Sequence, residues 1–194
     1  MQPDYWQEVG RTVNGVPVDD DQINMIVHKI ETSLDLKFGD ALLDIGCGNG
    51  ALTRLLNCYT HGVDRDLDLI NKARERYYSG EFVCCDALEY LANWCDWYGK
   101  ALIYGAFSYM PESREILFNL HKFASRVFIG NLPDKEKAHL FFQETNPVLD
   151  DPNSPTGVWR TQEEFKQLCH NCGWNVEFTT MPEDFYASHY RSGS

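Results

Sequence analysis

An apolar run that ends in alternating glycines constrains this chain more than any other stretch. It reads Leu42-Leu43-Asp44-Ile45-Gly46-Cys47-Gly48-Asn49-Gly50-Ala51-Leu52-Thr53. The apolar part is a buried strand, and the glycines permit positive φ, so that a ligand can lie against the main chain. Leu52, Leu55 and Leu56 follow at helical spacing, which predicts a helix whose N-terminus favours an anionic group. Strand, glycine turn and helix together are a cofactor cradle. The spacing narrows the choice of cofactor. A dinucleotide fingerprint, G-x-G-x-x-G, has its third glycine five residues after the first, whereas here position 51 is Ala and the pattern is G-x-G-x-G.

Two more strand ends carry acids. Asp64 closes His61-Gly62-Val63-Asp64, 18 positions after Gly46. A carboxylate there accepts both hydroxyls of a ribose and would repel a phosphate. Glu81-Phe82-Val83-Cys84-Cys85-Asp86 repeats the pattern. Asp86 is suited to accept from an adenine amino group, and the Ala87 N–H to donate to a ring nitrogen. A flavin- or NAD-binding Rossmann domain, or a glycine loop with no ligand, is the competing reading.

With Asp64 and Asp86 in register behind it, Asp44 to Gly50 resembles the acid-x-G-x-G-x-G motif of the class I S-adenosylmethionine (SAM) methyltransferases. The likeness runs from about residue 20 to residue 190. It implies an enzyme, a SAM-dependent methyltransferase that yields S-adenosylhomocysteine (SAH). The implied cofactor contacts are the backbone of Gly46, Cys47, Gly48, Asn49 and Gly50 for the methionine end, Asp64 for the ribose, and Asp86 with Ala87 for adenine. Gly105 is small where the methionyl group should pass. Arg65 either lies along the adenine face or is a solvated residue at a helix start. Asp44 either holds the loop or reaches the methionine amino group.

The rest of the chain fits such a fold. Ile23, Ile26, Val27, Ile30 and Leu34 stripe one helix face, and Gly39-Asp40 is the expected stop. Strands are expected near 41–45, up to Asp64, up to Asp86, near 100–104 and near 126–130. Helices are expected between them, including a short one over 87–98 whose Trp94, Trp97 and Tyr98 pack on the sheet. Alternating helices and strands demand a parallel sheet covered on both faces. A capping box at Thr161 to Glu164 starts a last helix, closed by Gly173. Strands six (174–180) and seven (185–190) are joined by too few residues for a parallel crossover, so strand seven must be antiparallel. The expectation is one α/β domain over 1–194: a three-layer, doubly wound, seven-stranded, mostly parallel sheet of order 3-2-1-4-5-7-6. Residues 1–20 form an N-terminal arm or lid, and a substrate-side loop lies at about 131–160.

Composition excludes several classes. The formal charge is −12 with no Lys/Arg-rich block, which disfavours nucleic acid as a partner. No apolar run reaches membrane-spanning length, and the first residues do not read as a signal peptide. Seven scattered cysteines read as reduced thiols in a cytoplasm. Cys169-His170-Asn171-Cys172 has metal spacing without a second pair, so packed thiols are expected and no metal.

Methyl transfer from a sulfonium is an in-line displacement in which positioning dominates, so no nucleophile is sought. Tyr104, Tyr109, Asn131 and Asp134 follow strands four and five and are the substrate-side candidates; the catalytic residue is left unassigned. No histidine is placed for a base. Asn131-Leu132-Pro133-Asp134 departs from the Asn-Pro-Pro-aromatic motif of amino methyltransferases, with Leu for the first Pro and a place after strand five instead of four. That weighs against DNA or protein N-methylation. The expected acceptor is a small molecule, a sugar, phosphoryl-bearing metabolite or natural-product intermediate, methylated on O or N. The alternative is a non-catalytic subunit of this fold that binds a partner. The sequence leaves the oligomeric state open.

Overall fold

The computed structural model describes residues 8, 12–13, 16–17, 19–77, 80–94, 96–142 and 147–181. A two-residue pair of strands, β1 (Thr12–Val13) and β2 (Val16–Pro17), comes first and is antiparallel. Helix α1 (Asp20–Leu34) follows, opened by a capping box between Asp19 and Gln22. The central sheet contains β3 (Ala41–Ile45), β4 (Tyr59–Asp64), β5 (Glu81–Cys84), β6 (Gly99–Tyr104) and β7 (Ala124–Gly130). Helices α2 (Leu67–Arg76), α3 (Ala87–Asn93) and α4 (Ser113–Leu120) connect them, and α5 (Gln162–Asn171) follows β7.

The sheet is parallel throughout, in the order β5-β4-β3-β6-β7. Strand order reverses beside β3: the chain moves outward through β4 to β5, then crosses back from β5 to β6 on the other side of β3. The carboxyl ends of β3, β4, β5 and β6 therefore open on one crevice. Two cores cover the sheet. Ile23, Ile26, Ile30 and Leu34 of α1 pack with Leu42, Leu52, Leu56 and Leu102 on one face. Tyr90, Leu91, Ile116, Leu117, Leu120 and Phe123 pack with Leu43, Ile45 and Ile103 on the other. Burial of these apolar side chains contributes about 1.5–3 kcal/mol each.

Three expectations need correction, and a fourth, strand six, has its expected partner outside the described residues. The residues after the glycine turn form a single 3-10 turn, Thr53–Leu55, and no α-helix. Only residues 51–58 separate Gly50 from β4, and Leu52 and Leu56 reach the core without one. Helix α1 stops before Gly39, at Asp35, whose φ of 50° is left-handed and takes over the cap; Asp tolerates that conformation. Trp97 does not pack on the sheet but is 61% exposed, and Trp94 is half-exposed against Tyr90. Residues 174–180 carry no strand pairing among the described residues. Trp174 anchors that stretch instead, stacking on His121 at 3.9 Å and donating to the Leu117 carbonyl at 2.8 Å. The expected strand seven, 185–190, lies outside the described residues, so five parallel strands are observed.

Candidate active site

The crevice is a cavity of about 380 Å³. It is built upward from the glycine turn. The N–H groups of Gly46 and Cys47 both donate to the Val63 carbonyl, at 2.7 and 3.2 Å. The Gly48 N–H donates to Asp64 Oδ2 at 2.8 Å. Three bonds thus tie the turn to β4 and replace the helix terminus expected there. Gly46 has φ +75°, and a methyl group on it would overlap Ala106 Cβ, so only glycine lets the β6–α4 connection close over the turn.

Asp64 ends β4 and Asp86 follows β5, and both line the cavity with Gly48. Asp64 Oδ1 accepts from the Asp66 N–H at 2.9 Å. A carboxylate has about four acceptor positions, so two remain for a ligand. Asp86 caps α3 through Oδ1, which accepts from Leu88 N at 2.9 Å and Glu89 N at 3.3 Å; Oδ2 takes neither bond. Arg65, Ala87, Gly105, Cys47 and Asn49 also line the cavity.

Glu8 enters from the N-terminal side. Its Oε2 accepts from Asn49 Nδ2 at 2.8 Å and from Arg76 Nη1 at 2.6 Å, and its Oε1 from Arg76 Nη2 at 3.0 Å. Lys72 lies 3.5 Å away. The Arg76 hydrogen bond, with help from Asn49 and Lys72, holds the Glu8 carboxyl at about 2. The glycine turn and α2 are clasped together by one side chain.

On the opposite wall, Tyr104 and Tyr109 line the cavity with Met110, Pro111 and Glu112. The 147–160 segment holds this wall from behind. Val158 N donates to the Ser108 carbonyl at 2.8 Å, and Tyr109 Oη donates to the Pro155 carbonyl at 3.1 Å. Arg160 spans the same contact, with Nη2 3.2 Å from Ser113 Oγ and its guanidinium 5.7 Å from the Phe107 ring centroid.

Residues 43–116, which carry the turn, both acids and this wall, match the family model of a methyltransferase domain. The fold agrees. A methyltransferase from Haloferax volcanii, solved with its activator Trm112, superposes with a TM-score of 0.64 at 15% identity, over 90% of this chain and 77% of that one. Magnesium protoporphyrin IX methyltransferase from Synechocystis PCC 6803, with SAM bound, gives 0.60 at 16% identity, over 92% and 86%. The [4+2]-cyclase SpnF gives 0.63 at 16% identity, over 88% and 68%. No protein of curated function matches the chain by sequence. Residues 43–116 are thus similar to a methyltransferase domain, and the chain shares the fold of these neighbours.

Most residues singled out from the sequence converge on the crevice, and four do not. Asp44 is buried beneath the turn and accepts from Thr53 Oγ1, so it holds the loop and is absent from the cavity wall. Gly50 lies against Ala73 and Phe82. Asn131, with φ 56°, turns the chain out of β7. Asp134 accepts from the Glu136 N–H at 3.1 Å and pairs with Arg160 in an isolated bridge. Neither Asn131 nor Asp134 lines the cavity. The sequence reading missed Glu8, which sits in an arm without periodicity, and Glu112, which follows Pro111 with no pattern around it. Among the described residues no three His, Cys, Asp or Glu side chains gather for a metal. Cys169 and Cys172 are buried thiols that burial pushes up, Cys169 to about 11. No described helix is long and apolar enough to cross a membrane.

Proposed function

We propose that the protein uses SAM to methylate a small-molecule acceptor on nitrogen or oxygen, as a single domain working in the cytoplasm and not on nucleic acid. The observation that carries this reading is the convergence of Gly48, Asp64 and Asp86 on one cavity. SAM supplies an activated methyl group on a sulfonium. The chain's own residues bind and orient. Asp64 keeps two acceptor positions for the ribose hydroxyls, Asp86 Oδ2 and the Ala87 N–H serve adenine, and Arg65 borders the same end. The glycine turn and Gly105 give the methionine end backbone to lie on. The Gly46–Ala106 closeness fixes the turn against the acceptor wall, and positioning of that kind is what a direct displacement needs.

The small-molecule acceptor is supported by the net charge of −12 and by the Synechocystis neighbour, named for magnesium protoporphyrin IX. The complete sheet of this reading has seven strands in the order 3-2-1-4-5-7-6, with the seventh antiparallel. The Haloferax neighbour, solved with its activator, supports a second reading, in which this chain works with a protein partner. Light scattering on the chain alone and with cell extract separates a self-sufficient enzyme from a subunit.

Equilibrium dialysis with labelled SAM tests the main reading. The wild type binds, and Asp64→Ala combined with Asp86→Asn weakens binding at least tenfold. Asn at 86 still caps α3, so folding is preserved. Undiminished binding by the double variant would overturn the assignment.

A further inference from the structure

We infer that the acceptor is a cationic amine, recognised by Glu112 between the two tyrosines of the β6–α4 wall. This rests on the methyltransferase reading above and deepens it. Among the described residues, the charged groups lining the cavity are Glu8, Asp64, Asp86 and Glu112 against the single cation Arg65. Three of the four acids are committed. Glu8 is neutralised by Arg76 and Lys72, and Asp64 and Asp86 bond to backbone N–H groups at the cofactor end. Glu112 is not. It occupies the N-cap of α4, yet its side chain caps nothing, although a carboxylate there commonly stabilises a helix. Its carboxylate makes no hydrogen bond or ion pair to a described residue.

The surroundings of Glu112 favour the same chemistry. Tyr104 and Tyr109 line the cavity on the same connection, and aromatic faces attract an ammonium. The Tyr109 ring is held by the bond from its hydroxyl to Pro155, and the Tyr104 ring lies across Gly130. Arg65 stands at the adenine end. Arg160, behind the wall, is half-buried against Phe107 and Ser113 and does not line the cavity. A phosphate or carboxylate on the acceptor would meet Glu112 with no cation beside it among the described lining residues. The net charge of −12 steers cations toward the protein and anions away.

The transfer then balances simply. The bound ammonium first releases one proton to solvent, and the nitrogen lone pair so exposed forms the N–CH₃ bond while the C–S bond breaks and returns its pair to sulfur. The sulfonium becomes a neutral thioether and the methylated nitrogen is again an ammonium, so one proton is released overall. The expected product is a secondary or tertiary amine.

The test uses the full chain loaded with SAH and two probes that differ in charge, 2-phenylethylamine and 3-phenylpropionate, followed by calorimetry. The amine is expected to bind at least tenfold more tightly than the acid. Glu112→Gln should erase that preference, and Glu112→Lys should invert it. Equal or tighter binding of the acid by the wild type, no binding of either probe, or a preference unchanged in Glu112→Gln would overturn the inference while leaving the cofactor reading intact. Failure of the wild type to hold SAH would bring down both.

Discussion

Gly48 and Asp64 are joined by a single 2.8 Å hydrogen bond from backbone N–H to carboxylate, which makes the glycine turn and the end of β4 one rigid object. A change at either end is therefore felt on both sides of the crevice.

Gly46→Ala should damage the site from within. The residue would be forced to hold φ +75° with its methyl group overlapping Ala106. Left-handed backbone costs a non-glycine residue on the order of 1–3 kcal/mol, and overlap adds to it. The melting temperature should fall by at least about 3 °C for a domain of this size, and SAM affinity should fall with it in a dialysis assay.

Glu8 gives a pH dependence with a definite sign. Its carboxyl is held at about 2 by Arg76, against an ordinary value of 4.5, so the ionised form stabilises the fold. That stabilisation is fully present above about pH 4.5 and drains away as pH falls toward 2. Glu8→Gln should be less stable than the wild type by about 1 kcal/mol at neutral pH, as for a screened surface pair. The two proteins should converge in acid, as read by urea unfolding at pH 7, 4 and 2.5.

His61 adds a loss of stability in the same direction, over a higher pH range. Burial holds its imidazole below the ordinary 6.5, with Glu81 3.2 Å from Nδ1 resisting the shift. Tyr90 and Tyr98 flank the ring at 5.5 Å, and Nε2 has no partner among the described residues. The folded protein therefore takes up this proton less readily than the unfolded chain. Stability should be level above pH 6.5 and decline as pH drops below it. His61→Phe, apolar and of similar breadth, should flatten that segment of the stability–pH curve.

Gly157→Ala should loosen the acceptor wall and spare the cofactor end. Gly157 has φ +69°, and a Cβ on it would sit 2.6 Å from the Ser108 carbonyl oxygen. The Val158–Ser108 and Tyr109–Pro155 bonds would have to shift. Acceptor KM should rise several-fold with SAM affinity unchanged, and limited proteolysis should cut the 147–160 segment sooner.

Much of this was readable because the deciding residues are local. Strand β3 falls at Ala41–Ile45 as its apolar run dictates, and the acids at 64 and 86 sit at strand ends because each closes such a run. The 3-10 turn at Thr53–Leu55 was misread because three leucines over five residues fit one helical turn and a compact loop equally well; the short return to β4 decides between them. Glu8 could not be located, since its partners Asn49 and Arg76 lie 41 and 68 residues away and nothing in the arm has a period. Asn131 and Asp134 follow a strand end as the cavity-lining acids do, but β7 lies at the margin of the described sheet, one strand beyond the crevice. Position after a strand was a fair guide only next to the switch in strand order.

Cys47 and Cys85 share the cavity with the proposed methyl donor, and a thiolate beside a sulfonium would be alkylated. Burial, reinforced by Asp44 and Asp64 around Cys47 and by Glu89 and Asp86 around Cys85, pushes both thiols up. Each stays protonated and weakly nucleophilic at neutral pH. On the proposed reading, Asp64 and Asp86, the two carboxylates assigned to the cofactor, add to burial in keeping these thiols from alkylation.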